Sequence, residues 1–150
     1  MRSLVLLSCS ARKRKTPTRP IPAIQRYDGV LFRVLRKYIR EQGRSPKIDI
    51  LVLSARYGLI TSQAPIRYYD QRMTRERASE LQQAVQTALI RSLGHKRYAR
   101  ILVAVGYDYR PLLHATPCLR HAFWQTGPIG KRAQFLKSWL HNSHSVPLRG

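Results

Sequence analysis

The sequence predicts an α/β fold, in which an open, mostly parallel sheet of about four strands is flanked by helices. Three short runs are rich in Val, Ile and Leu, the composition of strands covered on both faces: Leu4–Leu7, Ile48–Leu53 and Ile101–Val105. Segments of helical periodicity separate these runs, and parallel neighbours need such crossovers because tight hairpins join only antiparallel strands. The length of 150 residues, 43% of them hydrophobic, suits a single domain over residues 1–150.

The two crossover helices are predicted from the spacing of their apolar residues. The first ends before Gly43, and its apolar stripe consists of Val30, Leu31, Val34, Leu35, Tyr38 and Ile39. The second spans Arg75–Ser92, with Thr74 as N-cap and Gly94 as stop. Its inward face is predicted to contain Ala78, Leu81, Val85, Ala88 and Leu89.

The segments outside this alternation are predicted from their turn residues and charges. A basic, proline-containing loop covers residues 10–22, and an irregular segment, Gly58–Arg67, is expected to fold over the strand ends. After the third strand we expect a short helix at Tyr109–Ala115, broken by Pro117, and a fourth strand at Ala122–Gln125. A final helix, Pro128–Leu140, has Pro in its first turn, and residues 141–150 are expected to form a frayed tail.

The charge is the most unusual property of the chain. It has 28 Lys and Arg against 7 Asp and Glu, a net charge of +21, and 21 of the basic residues are Arg. A strongly cationic surface attracts polyanions, and Arg binds phosphate in a bidentate manner, so nucleic acid is the expected partner. The alternative is that much of this charge is only a solvated surface.

Several other classes of protein are disfavoured by composition. There is no apolar run of about 18 residues that could span a membrane, and Leu4–Leu7 is too short for the core of a signal peptide, so we expect a cytoplasmic protein without membrane contact. The two cysteines, Cys9 and Cys118, lack the spacing of a disulfide scaffold or a zinc site. We expect both to be reduced, and we expect neither a metal nor a cofactor.

Ligands of open parallel α/β sheets bind outside the carboxyl ends of the strands, so the residues that follow the three strands are the candidate site. Small polar residues, tyrosines and arginines gather there. The residues predicted to contact nucleic acid or phosphate at this edge are Ser8, Ser10, Arg12, Lys13, Arg56, Tyr69, Tyr109 and Arg110.

A second phosphate cradle is predicted at Gly127–Ala133. Glycines before a helix, followed by cations, suit an anion because free backbone N–H groups and the helix dipole both favour it. The residues expected to bind are Gly130, Lys131 and Arg132. This segment is not a P-loop, because Gln125 stands where the first Gly is required. The alternative is an ordinary turn before a helix that begins at Pro.

The candidate catalytic residues are Asp70, Tyr57 and Cys9. Asp70 is one of only seven acids in the chain, and it either orients a water or transfers a proton, or it pairs structurally with an Arg. Cys9 precedes Arg12 and Lys13, cations that favour a nucleophilic thiolate, and the alternative is a small buried residue at the end of a strand. Asp28, which precedes the first helix, is expected to cap that helix or to pair with a nearby Arg.

The central motifs resemble those of a known group of proteins. The run Leu53-Ser54-Ala55-Arg56-Tyr57-Gly58-Leu59-Ile60, then Ile66-Arg67-Tyr68-Tyr69-Asp70 and Met73, resembles the LSAxYGLL and PYD signature of a family of small bacterial and phage proteins of unknown function. That family looks related to the peroxide-stress protein YaaA and, more distantly, to the uracil-DNA-glycosylase-like domain of archaeosine synthase. Weaker matches flank this core in order at Leu7-Ser8-Cys9, Tyr27-Asp28-Gly29, Phe32, Gly106, Tyr109, Gly127–Gly130, Gln134 and Trp139.

The resemblance implies an α/β fold and a role in DNA protection or base processing. Uracil glycosylases carry a water-activating Asp-Pro-Tyr motif after the first strand, whereas this chain has Cys9-Ser10-Ala11 there. The primary expectation is therefore a nucleic-acid-binding protein with tyrosines that can stack on a base. The alternatives are an enzyme that acts on a nucleobase, a nucleotide or an N-glycosidic bond, and a nucleotide-binding protein without turnover.

Overall fold

The computed structural model describes residues 1–43, 46–114, 116–125 and 127–142. The elements follow one another in an alternation of strands and helices, with two 3₁₀ helices at Tyr107–Leu113 and Pro117–Leu119. They are β1 (Ser3–Ser8), β2 (Ile21–Pro22), α1 (Ala23–Arg26), α2 (Val30–Gln42), β3 (Ile48–Ser54), β4 (Gly58–Thr61), β5 (Pro65–Ile66), α3 (Arg75–Leu93), β6 (Ile101–Ala104), β7 (Phe123–Trp124) and α4 (Ile129–His141).

The main sheet has five strands in the order β4-β3-β1-β6-β7. β1 lies at its centre and pairs in parallel with β3 and β6, β7 is parallel to β6, and β4 is antiparallel to β3. The predicted α/β fold with a mostly parallel sheet is therefore confirmed. The three predicted central strands are also confirmed, each within one residue of its predicted bounds.

Both faces of the sheet are covered by helices, because β1 alternates its side chains between two apolar layers. Val5 and Leu7 pack into a core with residues of α2 and α4, whereas Leu4 and Leu6 pack into a second core with residues of α3. α2 ends at Gln42, just before Gly43 as predicted, and Thr74 caps α3 by accepting a hydrogen bond from the Arg77 N–H at 3.0 Å. No helix within the described ranges is long and apolar enough to cross a membrane.

The prediction of an irregular segment at Gly58–Arg67 was wrong. The chain turns back after β3 and forms β4, whose Gly58 begins the strand with a φ of +75°, a left-handed conformation that favours glycine. β5 follows and pairs with β2 in a small antiparallel sheet, which ties down the end of the basic loop. Sequence periodicity missed these strands because they have only two to four residues each.

The carboxyl-terminal third of the chain differs in detail from the prediction. The helix expected at Tyr109–Ala115 is a 3₁₀ helix that begins earlier, at Tyr107, and Ala115 lies outside the described residues. The expected fourth strand is the two-residue β7, and α4 begins at Ile129 with Pro128 as its N-cap. Of the tail predicted over 141–150, His141 ends α4 and residues 143–150 lie outside the described ranges.

Candidate functional site

Two serine hydroxyls join the loops that follow the central strands. Ser8, the last residue of β1, accepts a hydrogen bond from the Gly106 N–H at 2.9 Å, which fixes the loop after β6. Ser54, the last residue of β3, accepts the N–H groups of Arg56 and Tyr57 at 3.2 and 3.0 Å. The strand ends therefore hold the neighbouring loops through side chains that the sequence itself places at those ends.

Three tyrosines converge on this edge and form a network of hydroxyl groups. The hydroxyls of Tyr27 and Tyr69 lie 2.7 Å apart, and Tyr69 also lies 3.0 Å from Ser54 Oγ. The hydroxyl of Tyr109 lies 2.8 Å from the sulfur of Cys9. Burial raises the pKa of all three tyrosines, and the neighbouring Cys9 sulfur raises each further. The phenols therefore stay protonated at neutral pH and act as hydrogen-bonding groups.

Lys13 connects the basic loop to this network. Its Nζ lies 4.5 Å from the centre of the Tyr69 ring, within the range of a cation–π interaction. Burial lowers the pKa of Lys13, while the nearby Cys9 and Asp70 act in the opposite direction. Asp70, the predicted acid–base residue, is thus close enough to Lys13 to act on it electrostatically, but its side chain is exposed to solvent.

A cavity of about 290 Å³ opens beside the half-buried Cys9. It lies where the end of β1 approaches the start of α2, and a Cβ on Gly29 would come within 2.7 Å of the Ser10 Cβ, so only glycine fits without displacement. Five of the predicted site residues line this Cys9 cavity: Ser8, Cys9, Ser10, Arg12 and Arg132. The structure thus brings a residue of the predicted phosphate cradle to the strand-end site.

Asp28 stabilises the same corner, although in a different way from the predicted cap. Gly29, rather than Asp28, is the N-cap of α2. The Asp28 carboxylate instead forms ion pairs with Arg36 at 2.6 Å, Arg33 at 3.2 Å and Arg12 at 3.7 Å. Hydrogen bonds from Arg33 and Arg36 lower the pKa of Asp28 to about 2. The alternative of an Asp that pairs with nearby arginines is therefore the one realised.

A buried arginine holds the basic loop in place. The Arg26 side chain has no exposed surface, and its guanidinium donates to four backbone carbonyls. Nε reaches Ile66 at 3.3 Å, Nη1 reaches Arg14 and Pro17 at 2.9 Å each, and Nη2 reaches Arg19 at 2.8 Å. The backbone of the loop folds around one cation, and the loop's own basic side chains at Arg12, Arg14, Lys15 and Arg19 are exposed.

The remaining predicted residues are more dispersed. Tyr57 is 42% exposed, its ring is perpendicular to that of Tyr69, and the guanidinium of Arg56 lies 5.9 Å from its ring centre. Gly130 and Lys131 are exposed at the start of α4 and do not line the Cys9 cavity. Arg110 lines a different cavity, which lies between α3 and the 3₁₀ helix that carries Tyr109.

Sequence reasoning missed three residues of the site. Ser54 and Tyr27 lie within the motifs Leu53–Ile60 and Tyr27-Asp28-Gly29, but only the structure shows that both hydroxyls contact the buried Tyr69 hydroxyl. The sequence contains no indication that Arg26 is buried, because an Arg is rarely buried without a carboxylate and nothing in the neighbouring sequence marks it as an exception. Among the residues that the structure describes, no group of three or more His, Cys, Asp or Glu is arranged to hold a metal ion.

Comparison with known protein families finds a match that covers most of the chain. The sequence model of a family of unknown function, DUF6884, matches residues 4–138, a segment that includes β2–β7, all of β1 except Ser3, and all but the last turn of α4. No protein with a curated description matches the chain.

Proposed function

The chain belongs to the DUF6884 family, and we propose that it binds nucleic acid at the carboxyl-end edge of its sheet. The observation that carries this proposal is the basic loop anchored by Arg26. Its backbone faces a buried guanidinium, so the side chains of Arg12, Arg14, Lys15 and Arg19 extend into solvent, and Arg12 lines the Cys9 cavity. An anchored loop loses little conformational freedom when a phosphate backbone binds to it, which favours affinity.

The charges around this edge support the proposal, because few of them are neutralised within the molecule. The described ion pairs involve Arg2, Arg12, Arg33, Arg36, Lys37 and Arg77. Within the described ranges no ion pair includes Lys13, Arg56 or Lys131. With a net charge of +21, the edge carries a positive potential that attracts phosphate at long range.

Tyr57 supplies a surface on which a base can stack. Its ring is supported from the side by Tyr69, in a T-shaped contact with 5.6 Å between ring centres, and about half of it remains accessible. Stacking on a supported aromatic ring is how many proteins hold unpaired bases, and Arg56 beside the ring adds a cation for the backbone.

The finer role that we propose is base processing or DNA protection. This part rests on the resemblance of Leu53–Ile60 and Ile66–Met73 to the signature that also connects the family to the peroxide-stress protein YaaA and, distantly, to the glycosylase-like domain of archaeosine synthase. The cytoplasm is the compartment in which such a role would be exercised.

The test is a salt titration of binding to labelled single-stranded DNA, duplex DNA and RNA, followed by fluorescence anisotropy. The variant R14A/K15A removes two exposed cations of the anchored loop, and the matched control K96A/R97A removes two exposed cations before β6, at the opposite edge of the sheet. We expect the loop variant to reduce the salt slope by about 2, and the control to bind like the wild type. Absence of binding at roughly 50 mM salt would overturn the proposal, as would equal losses in the two variants.

A second candidate, an enzyme that acts on a nucleobase, nucleotide or N-glycosidic bond, is favoured by one specific observation. Cys9 contacts Tyr109 and lies near Lys13, and Asp70 also interacts electrostatically with the Lys13 ammonium group. A thiol, a cation and a carboxylate therefore lie at one edge of the sheet. The test is mass spectrometry of nucleosides from DNA and tRNA after incubation with the wild type, Cys9→Ala and Asp70→Asn. A modified nucleoside that the wild type produces and that either variant fails to produce would support turnover. Unchanged nucleosides in all samples, with intact binding, would refute it.

A further inference from the structure

A second cavity, larger than the Cys9 cavity, lies between the start of α3 and the 3₁₀ helix Tyr107–Leu113. Its volume is about 590 Å³, against about 290 Å³ for the Cys9 cavity, and falls within the range of small-molecule sites. We call it the α3 cavity. The charged, polar and aromatic residues that line it and that bear on its chemistry are Arg75, Ser79, Gln82, Tyr107, Asp108 and Arg110.

The 3₁₀ helix contributes residues to the α3 cavity and also contacts the Cys9 side chain. Tyr109 turns inward from this helix to contact the Cys9 sulfur, whereas Tyr107 and Arg110 line the α3 cavity. The α3 cavity shares no lining residue with the Cys9 cavity, and the Cys9–Tyr109 contact is the link between the 3₁₀ helix and the Cys9 cavity.

Tyr107 and Arg110 form a pair suited to an aromatic, anionic ligand. Tyr107 has a large, partly apolar ring, yet the residue is 81% exposed. The Arg110 guanidinium lies 5.7 Å from the centre of this ring. The Nε of Arg110 is buried and has no hydrogen-bond partner among the described residues. Because Nε itself is buried, a ligand in the cavity would contact the exposed Tyr107 ring and the Arg110 side chain that lines the cavity beside it.

The charges of the cavity also favour an anion. Two guanidinium groups, on Arg75 and Arg110, line it against a single carboxylate, on Asp108. No described ion pair engages Asp108 with either arginine. Gln82 and Ser79 add an amide and a hydroxyl, which are the groups that bind the edges of nucleobases.

We propose that the α3 cavity binds one nucleotide, with its base against Tyr107 and its phosphate beside Arg75 and Arg110. Where that nucleotide is an unpaired residue of a bound strand, this inference rests on the proposed function. The same chemistry would also accept a free nucleoside monophosphate, and the two sources are separated by experiment.

The experiment uses 2-aminopurine as a fluorescent base, in one arm as the free nucleoside monophosphate and in the other as a single bulged nucleotide in a DNA duplex. The test variants are Tyr107→Ala and Arg75→Ala. Their matched controls are Phe135→Ala, an exposed aromatic residue on α4, and Arg91→Ala, an exposed Arg near the other end of α3. All four positions are exposed, so we expect the variants to fold.

We expect the bulged duplex to bind more tightly than a fully paired one, with a change in 2-aminopurine fluorescence on binding. Tyr107→Ala should weaken this binding by roughly fivefold to a hundredfold, the range measured for loss of one stacked base, while both controls bind like the wild type. Weaker binding of the free nucleotide in the test variants, but not in the controls, would equally support a nucleotide site in the α3 cavity.

The failures of the two proposals are distinguishable. If the bulged and paired duplexes bind equally and Tyr107→Ala behaves like Phe135→Ala in both arms, the α3 cavity is not a nucleotide site, although nucleic-acid binding stands. If no polymer binds but the free nucleotide binds through Tyr107 and Arg75, the proposed function is wrong and the α3 cavity is nevertheless a nucleotide site. If neither the polymer nor the free nucleotide binds, both are overturned.

Discussion

Replacement of Arg26 by methionine tests whether one buried cation organises the basic loop. The wild-type guanidinium is fully buried and donates to the carbonyls of Arg14, Pro17, Arg19 and Ile66. Arg26→Met keeps a long side chain that can fill the space, but it removes every one of these donors. The loop would then lose the contacts that hold its backbone, and the carbonyl of Ile66 would remain without the donor it now has.

The size of the effect follows from two opposing contributions. A hydrogen bond to a charged group contributes at least about 1.5 kcal/mol, so four of them contribute roughly 6 kcal/mol. Removal of the guanidinium also removes its desolvation penalty, which offsets several kcal/mol, and the part-buried loop carbonyls can regain water. We therefore expect a net loss of about 2–4 kcal/mol in the free energy of unfolding.

Urea denaturation measures this loss directly. The fluorescence of Trp139, which is buried and has the Arg100 guanidinium 4.2 Å from its ring centre, reports on unfolding of the core. The matched control is Arg40→Met on the exposed face of α2, which should change the free energy of unfolding by no more than about 0.5 kcal/mol. Trypsin should also cleave within the loop faster in Arg26→Met than in the wild type. Equal stabilities of the two variants, with unchanged cleavage of the loop, would refute the reasoning.

Three further changes test the surroundings of the site. Asp28 has a pKa of about 2 in the folded protein, below its ordinary 3.8, so its contribution to stability is complete above about pH 4 and is lost as the pH falls through 2. Thermal melts should show that Asp28→Asn is less stable than the wild type at pH 6, and this difference should vanish near pH 2. Tyr69→Phe leaves the Tyr27 hydroxyl without its partner at 2.7 Å and should cost about 1–3 kcal/mol in urea denaturation, whereas a cost near zero would mean that water replaces the bond. Gly58→Ala has space for a methyl group, with Val85 at 3.6 Å, but its backbone must adopt a φ near +75°. We therefore expect the free energy of unfolding to fall by about 1–2 kcal/mol in urea denaturation, and an unchanged stability would contradict the strained turn.

The candidate site divides into a part that sequence could predict and a part that it could not. Ser8, Cys9 and Tyr109 follow parallel strands, and topology alone brings the carboxyl ends of such strands together. Arg132 lies 123 positions after Cys9 in the chain, and it reaches the same cavity only because α4 packs beside α2 on the same face of the sheet. Contacts between elements that are distant in sequence depend on how the helices pack, and no local pattern records them.

What the sequence determined by itself is the layered α/β arrangement and the excess of positive charge. Strands buried on both faces need continuous apolar runs, and amphipathic helices need a repeat near every fourth residue, so each leaves a local pattern that can be recognised without coordinates. Only the tertiary structure decided that Gly58–Thr61 is a strand, that Arg26 lies inside the basic loop, and that Tyr109 contacts Cys9 while Tyr107 of the same 3₁₀ helix lines the α3 cavity. These features depend on partners far away in the chain, because a buried donor or a short edge strand is stable only when distant residues supply its hydrogen bonds.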